Sequence, residues 1–461
     1  MVKTRFAPSP TGVMHLGNLR TALVNALFAH GQGGQMLLRV ENTDKERSEE
    51  RYIDQILEDL QWLGVSFDEG PVCQSDRGEV YASYFAKLIE MDLAYPCFCS
   101  EQELAIHRKA QLSAGQAPRY PGTCQHLSDE QIALKTEKGI FPTLRFRVPK
   151  EKIIRFDDAI FGPKQFLSDD LGDFIIRKND GGPTFMFCNA LDDALMGVTH
   201  AFRGEDHITN TPRQLMLLEA LDLKAPTYGH FPIILGMDGK PLSKRNGSQS
   251  VVDLRAKGYL PEAILNYVAR LGHSYESTDF MTTEDLGKNY QLSRVGTAPA
   301  KFDLDQLNYW QDTTWQHLSN DAIYTVLQPV MQIVPEDKQE TFVQIIKQNI
   351  RFAEDAQNWA AKLYGKQVDF DSEALEVIEA AGTTYFITLG EELRSLTPKE
   401  ALNATKEKLG VKGKALFMPF RIALTGTKSG PSFDELYELL SREAIQARVE
   451  QALSANPQPQ R

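Results

Sequence analysis

The 461-residue chain is 42% hydrophobic and 24% charged, a balance typical of globular proteins in water. No stretch approaches the ~18 consecutive apolar residues of a membrane span. A net charge of -12 argues against indiscriminate binding to nucleic acid, although it permits localised basic contacts.

Taken in chain order, Val2 to Phe6 predicts a short strand, the turn-rich Ala7-Pro8-Ser9-Pro10-Thr11-Gly12 a loop, and Leu16 to Ala29 a helix. The start has no charged segment followed by an apolar run and does not resemble a secretory signal, so a cytoplasmic protein is expected. Met36 to Val40 reads as a second strand, and Ser48 to Leu63 as an amphipathic helix with Ile53, Ile56, Leu57 and Leu60 on one face. Strands alternating with helices imply a parallel sheet. From Tyr95 to about Asn179 the pattern breaks into short alternating pieces such as Thr143 to Val148, the mark of an inserted mixed α+β domain. The α/β pattern resumes over Pro183 to Leu221. Beyond Pro261 the periodicity is helical, as in Phe342, Ile345, Ile346 and Ile350, and in Leu436, Leu439 and Leu440 after the capping box Ser432-x-x-Glu435. Ser454 to Arg461 reads as a disordered tail. The length suggests about three domains.

Two loops carry candidate phosphate chemistry. In His15-Leu16-Gly17-Asn18, at a strand-to-helix junction, the imidazole can donate to a phosphate at the helix N-terminus, and Gly17 lets a flat adenine lie against backbone. Asp238 to Gly247 places cations on a glycine-flanked loop. There Lys244, beside Ser243, can neutralise charge that builds on departing pyrophosphate. Neither G-x-x-x-x-G-K-[ST] nor G-x-G-x-x-G is present, so the other common nucleotide folds lose support.

Five cysteines, an odd number, point away from a disulfide framework. Cys97-x-Cys99 followed by Cys124-x-His126 offers three thiolates and an imidazole, enough for one closed tetrahedral Zn²⁺ site of structural type. Cys73 and Cys188 read as plain core residues.

FAPSPTGVMHLGNLRTAL resembles the "HIGH" signature of class I aminoacyl-tRNA synthetases, and PLSKRNG their "KMSKS" loop. LLRVENTD, DDALMGVTHAFRGEDHITNTPRQ and KGKALFMPFRIALTG match the glutamyl branch best. The resemblance implies a Rossmann-type catalytic domain (1–94 and 183–235) interrupted by an acceptor-stem domain (95–182). A stem-contact domain (236–312) and a helical anticodon-binding region (313–461) then follow. It further implies ATP-dependent activation of L-glutamate, with Mg²⁺ accompanying ATP and cognate tRNA required, and transfer to tRNA-Glu, tRNA-Gln or both, by a monomer. By motif position, Arg5, Ala7, Ser9, Glu41, Phe185, Asn189 and Arg203 would form the glutamate pocket. Ser9, His15, Gly17, Asn18, Asp206, Ile234, Ser243 and Lys244 would bind ATP, with His15 and Lys244 catalytic.

Arg5 or Arg203 would hold the side-chain carboxylate and Glu41 the α-ammonium. Two departures stand out: Phe185 where the branch usually has Tyr, and Asn42 where it has Asp. Some relatives use a tyrosine as fourth metal ligand, which makes Tyr120 a competitor of His126. The alternatives are a glutamyl transferase that modifies a tRNA base and a non-enzymatic zinc-stabilised RNA-binding protein. The first leaves the helical C-terminal region without a purpose, and the second leaves both signature loops unexplained.

Overall fold

In the computed structural model, residues 1–44, 46–242 and 249–456 are described. They form two compact units, Met1–Ala256 with Leu260–Leu307, and Lys257–Tyr259 with Asn308–Arg461.

In the first unit, strand Lys3–Phe6 pairs in parallel with Gln35–Val40, Arg5 opposite Leu37, and Gln35–Val40 pairs in parallel with Glu69–Cys73. Met36, Leu37, Leu38 and Val40 are all buried, as expected for a parallel strand covered on both faces. The crossover helix, Leu16–Gly31, is buried around most of its circumference through Leu16, Leu19, Leu23, Val24 and Leu27. Helix Glu50–Leu63 ends at Gly64 in the left-handed conformation, φ 70°, which an L-residue adopts only with strain.

A second parallel pair, His200–Gly204 with Thr227–Phe231, lies beside the first strand. The junction is made by Lys3 N donating to Thr199 Oγ1 at 2.8 Å and Thr199 N donating to Lys3 O at 2.8 Å. Residues some 200 positions apart in sequence thereby share one sheet edge. This juxtaposition builds the site described below.

Between the two pairs, strands Ala94–Cys97, Thr143–Phe146 and Phe174–Arg177 form an antiparallel sheet, and Ile153–Asp158 pairs with Gly162–Leu167 as a hairpin. Leu144, Phe146, Ile154 and Ile176 share one apolar core with Tyr81 and Phe85 of helix Gly78–Glu90 and with Phe187 and Leu191 of helix Phe185–Leu195. Helices Glu101–Ser113 and Asp129–Glu137 behave differently. Each is closed by a capping box, Ser100 with Glu103 and Ser128 with Gln131, yet neither buries a single residue.

The described elements that lie wholly in the second unit are all helical. Phe342, Ile345, Ile346 and Ile350 are buried as their spacing predicts, and the Ser432–Glu435 capping box opens helix Phe433–Leu439. Ser454 and Ala455, expected in a disordered tail, instead finish helix Arg442–Ala455, where Val449 and Ala452 face the core. Asn456, also in that expected tail, is buried and donates from Nδ2 to Ile378 O at 3.0 Å, and 457–461 lie outside the described residues.

Helix Leu16–Gly31 meets helix Thr283–Lys288 so closely that a Cβ on Gly31 would sit 2.1 Å from the Gly287 carbonyl oxygen. Since the obstacle is backbone, Gly31→Ala should lower the unfolding free energy by about 1–3 kcal/mol, read as a lower urea midpoint.

Candidate active site and cysteine cluster

A cavity of about 830 Å³ opens where the two parallel pairs meet. It brings together Arg5, Ala7, Ser9, His15, Gly17, Asn18, Glu41, Phe185, Asn189, Arg203, Asp206 and Ile234, twelve of the residues singled out from sequence. Ser243 and Lys244 lie outside the described residues, although Leu242, immediately before them, lines the same cavity.

His15 is the N-cap of helix Leu16–Gly31. Its Nδ1 accepts from Gly17 N at 3.1 Å and Asn18 N at 3.3 Å, and Asn18 Oδ1 accepts from His15 N at 3.4 Å. An acceptor role at Nδ1 leaves the proton on Nε2, which can donate to a phosphate. Although the ring edge is open to solvent, the protein packed around it holds the imidazole below its ordinary value, which favours this neutral form. Gly17 serves the same cap, because a Cβ there would lie 2.9 Å from His15 Cε1.

Behind the loop lies a buried ionic network. Arg5 Nε donates to Asp193 at 3.1 Å and Arg5 Nη1 to Phe202 O at 2.9 Å. Arg39 Nη1 donates to Asp193 at 2.7 Å and Nη2 to Glu41 at 3.1 Å. Burial works against the Asp193 carboxylate, but Arg5 and Arg39 outweigh it and hold its pKa low. For Glu41, burial wins over Arg39 and Asn189 and raises it. Asn189 Nδ2 donates to Glu41 Oε1 at 2.6 Å.

Arg203, 5% exposed, differs from the other two arginines because every partner around it is neutral. Its Nε donates to His230 Nε2 at 3.1 Å, Nη1 to Asn189 Oδ1 at 3.3 Å, and Nη2 to Thr211 Oγ1 at 2.9 Å and Gln214 Oε1 at 2.7 Å. Burial and the nearby charge of Arg5 bring it down to about 10. One Nη1 N–H is left for an incoming acceptor.

The departures from the glutamyl pattern have local explanations. Asn42 exchanges hydrogen bonds with Ser75, Nδ2 to Oγ at 3.0 Å and Ser75 N to Oδ1 at 2.9 Å, and an aspartate could keep the first contact only by taking the hydroxyl hydrogen that Ser75 now gives to Asp76. Phe185 packs at 5.3 Å from the ring of His207, a cavity residue that sequence reasoning overlooked. Asp193 and Arg39 were overlooked as well. A visible signal existed for Arg39, a charge within the otherwise apolar strand Gln35–Val40.

In the inserted segment, the Cys97, Cys99 and Cys124 sulfurs lie within 4.8 Å of one another. The Cys99–Cys124 separation, 3.7 Å, matches the ~3.8 Å between thiolates on a tetrahedral zinc. The Tyr120 hydroxyl completes the group, 3.3 Å from Cys97 Sγ and 3.6 Å from Cys99 Sγ. Arg145 lies over the Tyr120 ring, 3.8 Å from its centroid. His126, expected from its spacing as the fourth ligand, is exposed and its imidazole is not among these atoms, because the turn at Cys124 carries it outward. Cys188 is a core residue as expected, its thiol donating to Gln74 at 3.3 Å. Cys73 is only half-buried.

Comparison with known proteins agrees with this geometry. The family "tRNA synthetases class I (E and Q), catalytic domain" matches residues 1–309, and "Anticodon binding domain" matches 322–453. The chain belongs to the class I tRNA synthetases of the E and Q type. It is 48% identical to glutamate-tRNA ligase 2 of Nitrosococcus oceani over 97% of this chain and 98% of that one. It is 46% identical to glutamate-tRNA ligase 2 of Coxiella burnetii over 98% and 100%. A crystal structure of a glutamate-tRNA ligase from Elizabethkingia meningosepticum, in complex with its amino acid, superposes with a TM-score of 0.87 at 29% identity, covering 98% of this chain and 99% of that one. The Rossmann-like catalytic fold followed by helices accords with these neighbours.

Burial lowers the pKa of His207, with help from Arg203, and of His273, each to about 4, against about 6.5 in an unfolded chain. Between those values the unfolded chain binds protons that the fold refuses. The histidine contribution to stability is therefore complete above about pH 6.5 and declines as pH falls toward 4. Urea unfolding at pH 7.5 and pH 5 should show this loss, and it should be smaller in His273→Gln.

Proposed function

We propose that the protein is a glutamate-tRNA ligase that activates L-glutamate with ATP and esterifies it onto the 3′ end of tRNA. The carrying observation is Arg203, a buried cation with neutral partners and a free N–H at the cavity wall. A substrate side-chain carboxylate supplies the missing charge through a charge-assisted hydrogen bond, whereas a neutral amide supplies none. Glu41, whose burial disfavours a bare carboxylate, receives the α-ammonium. Ala7 and Ser9 lie on the loop that frames the amino acid, and Phe185 closes its wall without contributing a hydroxyl.

On the ATP side, His15 Nε2–H meets the phosphates at the helix N-terminus, with Gly17 and Asn18 holding its ring in place. Asp206 and Ile234, which line the same cavity, are assigned to the nucleoside by motif position. Lys244, placed by its motif alone, neutralises the leaving pyrophosphate, and Mg²⁺ arrives as part of the nucleotide substrate. The α-carboxylate attacks the α-phosphorus in line and pyrophosphate leaves. The terminal ribose hydroxyl of tRNA then attacks the mixed anhydride and releases AMP. Positioning and charge stabilisation are the protein's contribution. A cytoplasmic location, where tRNA is used, fits this chemistry.

The cysteine cluster fits a structural Zn²⁺, held by Cys97, Cys99, Cys124 and the Tyr120 hydroxyl in place of His126. The group would cross-link loops whose flanking helices bury nothing of their own.

Purified protein should charge tRNA with radiolabelled glutamate, and comparison of tRNA-Glu with tRNA-Gln measures its preference. Arg203→Ala should raise the KM for glutamate at least about 100-fold, in line with loss of a buried charge-assisted bond, and Lys244→Ala should reduce kcat. Failure of folded, metal-loaded protein to charge either tRNA overturns the assignment. Elemental analysis should find one zinc per chain, abolished by Cys124→Ala, weakened by Tyr120→Phe and retained by His126→Ala.

A further inference from the structure

The side chain that fixes Arg203 is itself fixed from the inserted segment. His230 lies on strand Thr227–Phe231 and is fully buried. Its Nδ1 is 2.5 Å from Asp158 Oδ2, and its Nε2 is the acceptor for Arg203 Nε. Asp158 ends the first strand of the hairpin Ile153–Asp158/Gly162–Leu167. Its other oxygen, Oδ1, accepts from Ile160 N at 3.0 Å, Phe161 N at 2.9 Å and His230 N at 3.3 Å. Ala159 N donates to Tyr228 O at 2.9 Å, which joins the hairpin to the strand that carries His230.

These contacts dictate the tautomer. An arginine Nε always carries its hydrogen, so His230 Nε2 must be the bare nitrogen and Nδ1 must carry the proton that Asp158 Oδ2 receives. Burial opposes the Asp158 charge, but His230 and the two hairpin amides outweigh it and hold the carboxylate low, while burial keeps His230 neutral.

We propose that Asp158 and His230 form a positioning relay through which the inserted segment orients the Arg203 guanidinium for the substrate side-chain carboxylate. The relay extends the ligase reading above and rests on it. Neither residue touches substrate. Asp158 selects the imidazole tautomer, the tautomer presents an acceptor to Nε, and that acceptor sets the plane in which the free Nη1 N–H points into the cavity.

Asp158→Asn tests this with almost no change in shape. Because three backbone N–H groups pin the oxygen at Oδ1, the new amide nitrogen must face His230 Nδ1. The imidazole proton then moves to Nε2, where it opposes Arg203 Nε. The KM for glutamate should rise about tenfold or more in the charging assay, and the KM for ATP should stay within about twofold. His230→Gln offers a side-chain oxygen to Arg203 that does not depend on residue 158. It should stay within about threefold of wild type, and the double variant Asp158→Asn/His230→Gln should behave like His230→Gln alone.

The relay is overturned if Asp158→Asn leaves the glutamate KM unchanged, if both KM values rise together, or if the double variant is as impaired as Asp158→Asn. Should Asp158→Asn not fold, His230→Gln is compared with His230→Asn, which is too short to reach Arg203 Nε. A higher glutamate KM in His230→Asn alone supports the relay, and equal KM values overturn it. A wild type that charges no tRNA with glutamate overturns the underlying reading instead, whereas normal wild-type charging with an unaffected Asp158→Asn overturns only the relay.

Discussion

Arg5, Arg39 and Arg203, three of the guanidinium groups buried in and behind one cavity, are the constraint on which the remainder of the site depends. Arg5 and Arg39 share Asp193, and Arg39 also reaches Glu41, so those charges largely cancel within the sheet. Arg203 reaches a carboxylate only at second hand, through the imidazole of His230 to Asp158. Burying an unpaired cation is costly, and the fold tolerates it here by surrounding the group with oriented dipoles from Asn189, Thr211 and Gln214. The site is electrostatically incomplete until an anion enters. In the ligase reading proposed above, that incompleteness is what selects an acidic side chain over its neutral amide.

The arrangement needs the two halves of the catalytic fold to be read together. Arg5 comes from the first strand, Arg39 from the second and Glu41 from the residue that follows it, Asn189 from helix Phe185–Leu195 and Arg203 from a strand on the far side of the insertion. The parallel pairs hold these positions because the strands are buried on both faces and cannot slip in register without exposing apolar side chains. Rigid strands suit an amino-acid pocket. The proposed nucleotide side, by contrast, is made by loop residues at the start of one helix, where the amides of Gly17 and Asn18 hold a capping imidazole at the cavity wall.

The inserted segment is attached in two unlike ways. Its antiparallel sheet and hairpin share an apolar core with the catalytic helices, and Asp158 extends that attachment to the edge of the substrate pocket. The cysteine-bearing loops have only the small group of Tyr95, Cys97 and Cys124 beneath them. The metal cross-link proposed above would suit such a place, because sulfur and phenol ligands would replace the apolar area the loops do not bury. Arg145 lies above the Tyr120 ring at the edge of this group.

Much of this was legible in the chain itself. The run Met36 to Val40, apolar except for Arg39, specifies a buried parallel strand, helical periodicity at Phe342 to Ile350 specifies packed helices, and the short motifs around His15, Glu41 and Arg203 mark residues that line one cavity, because each depends on neighbours close in sequence. What only the tertiary structure decided is everything that depends on partners far apart in the chain. Asp193 serves arginines more than 150 positions away, Asp158 reaches His230 across 72 residues, and Tyr120 rather than His126 faces the thiols because of how one turn is folded. Local sequence carries periodicity and turn chemistry, but the cost of burying a charge is settled by whatever the fold places beside it.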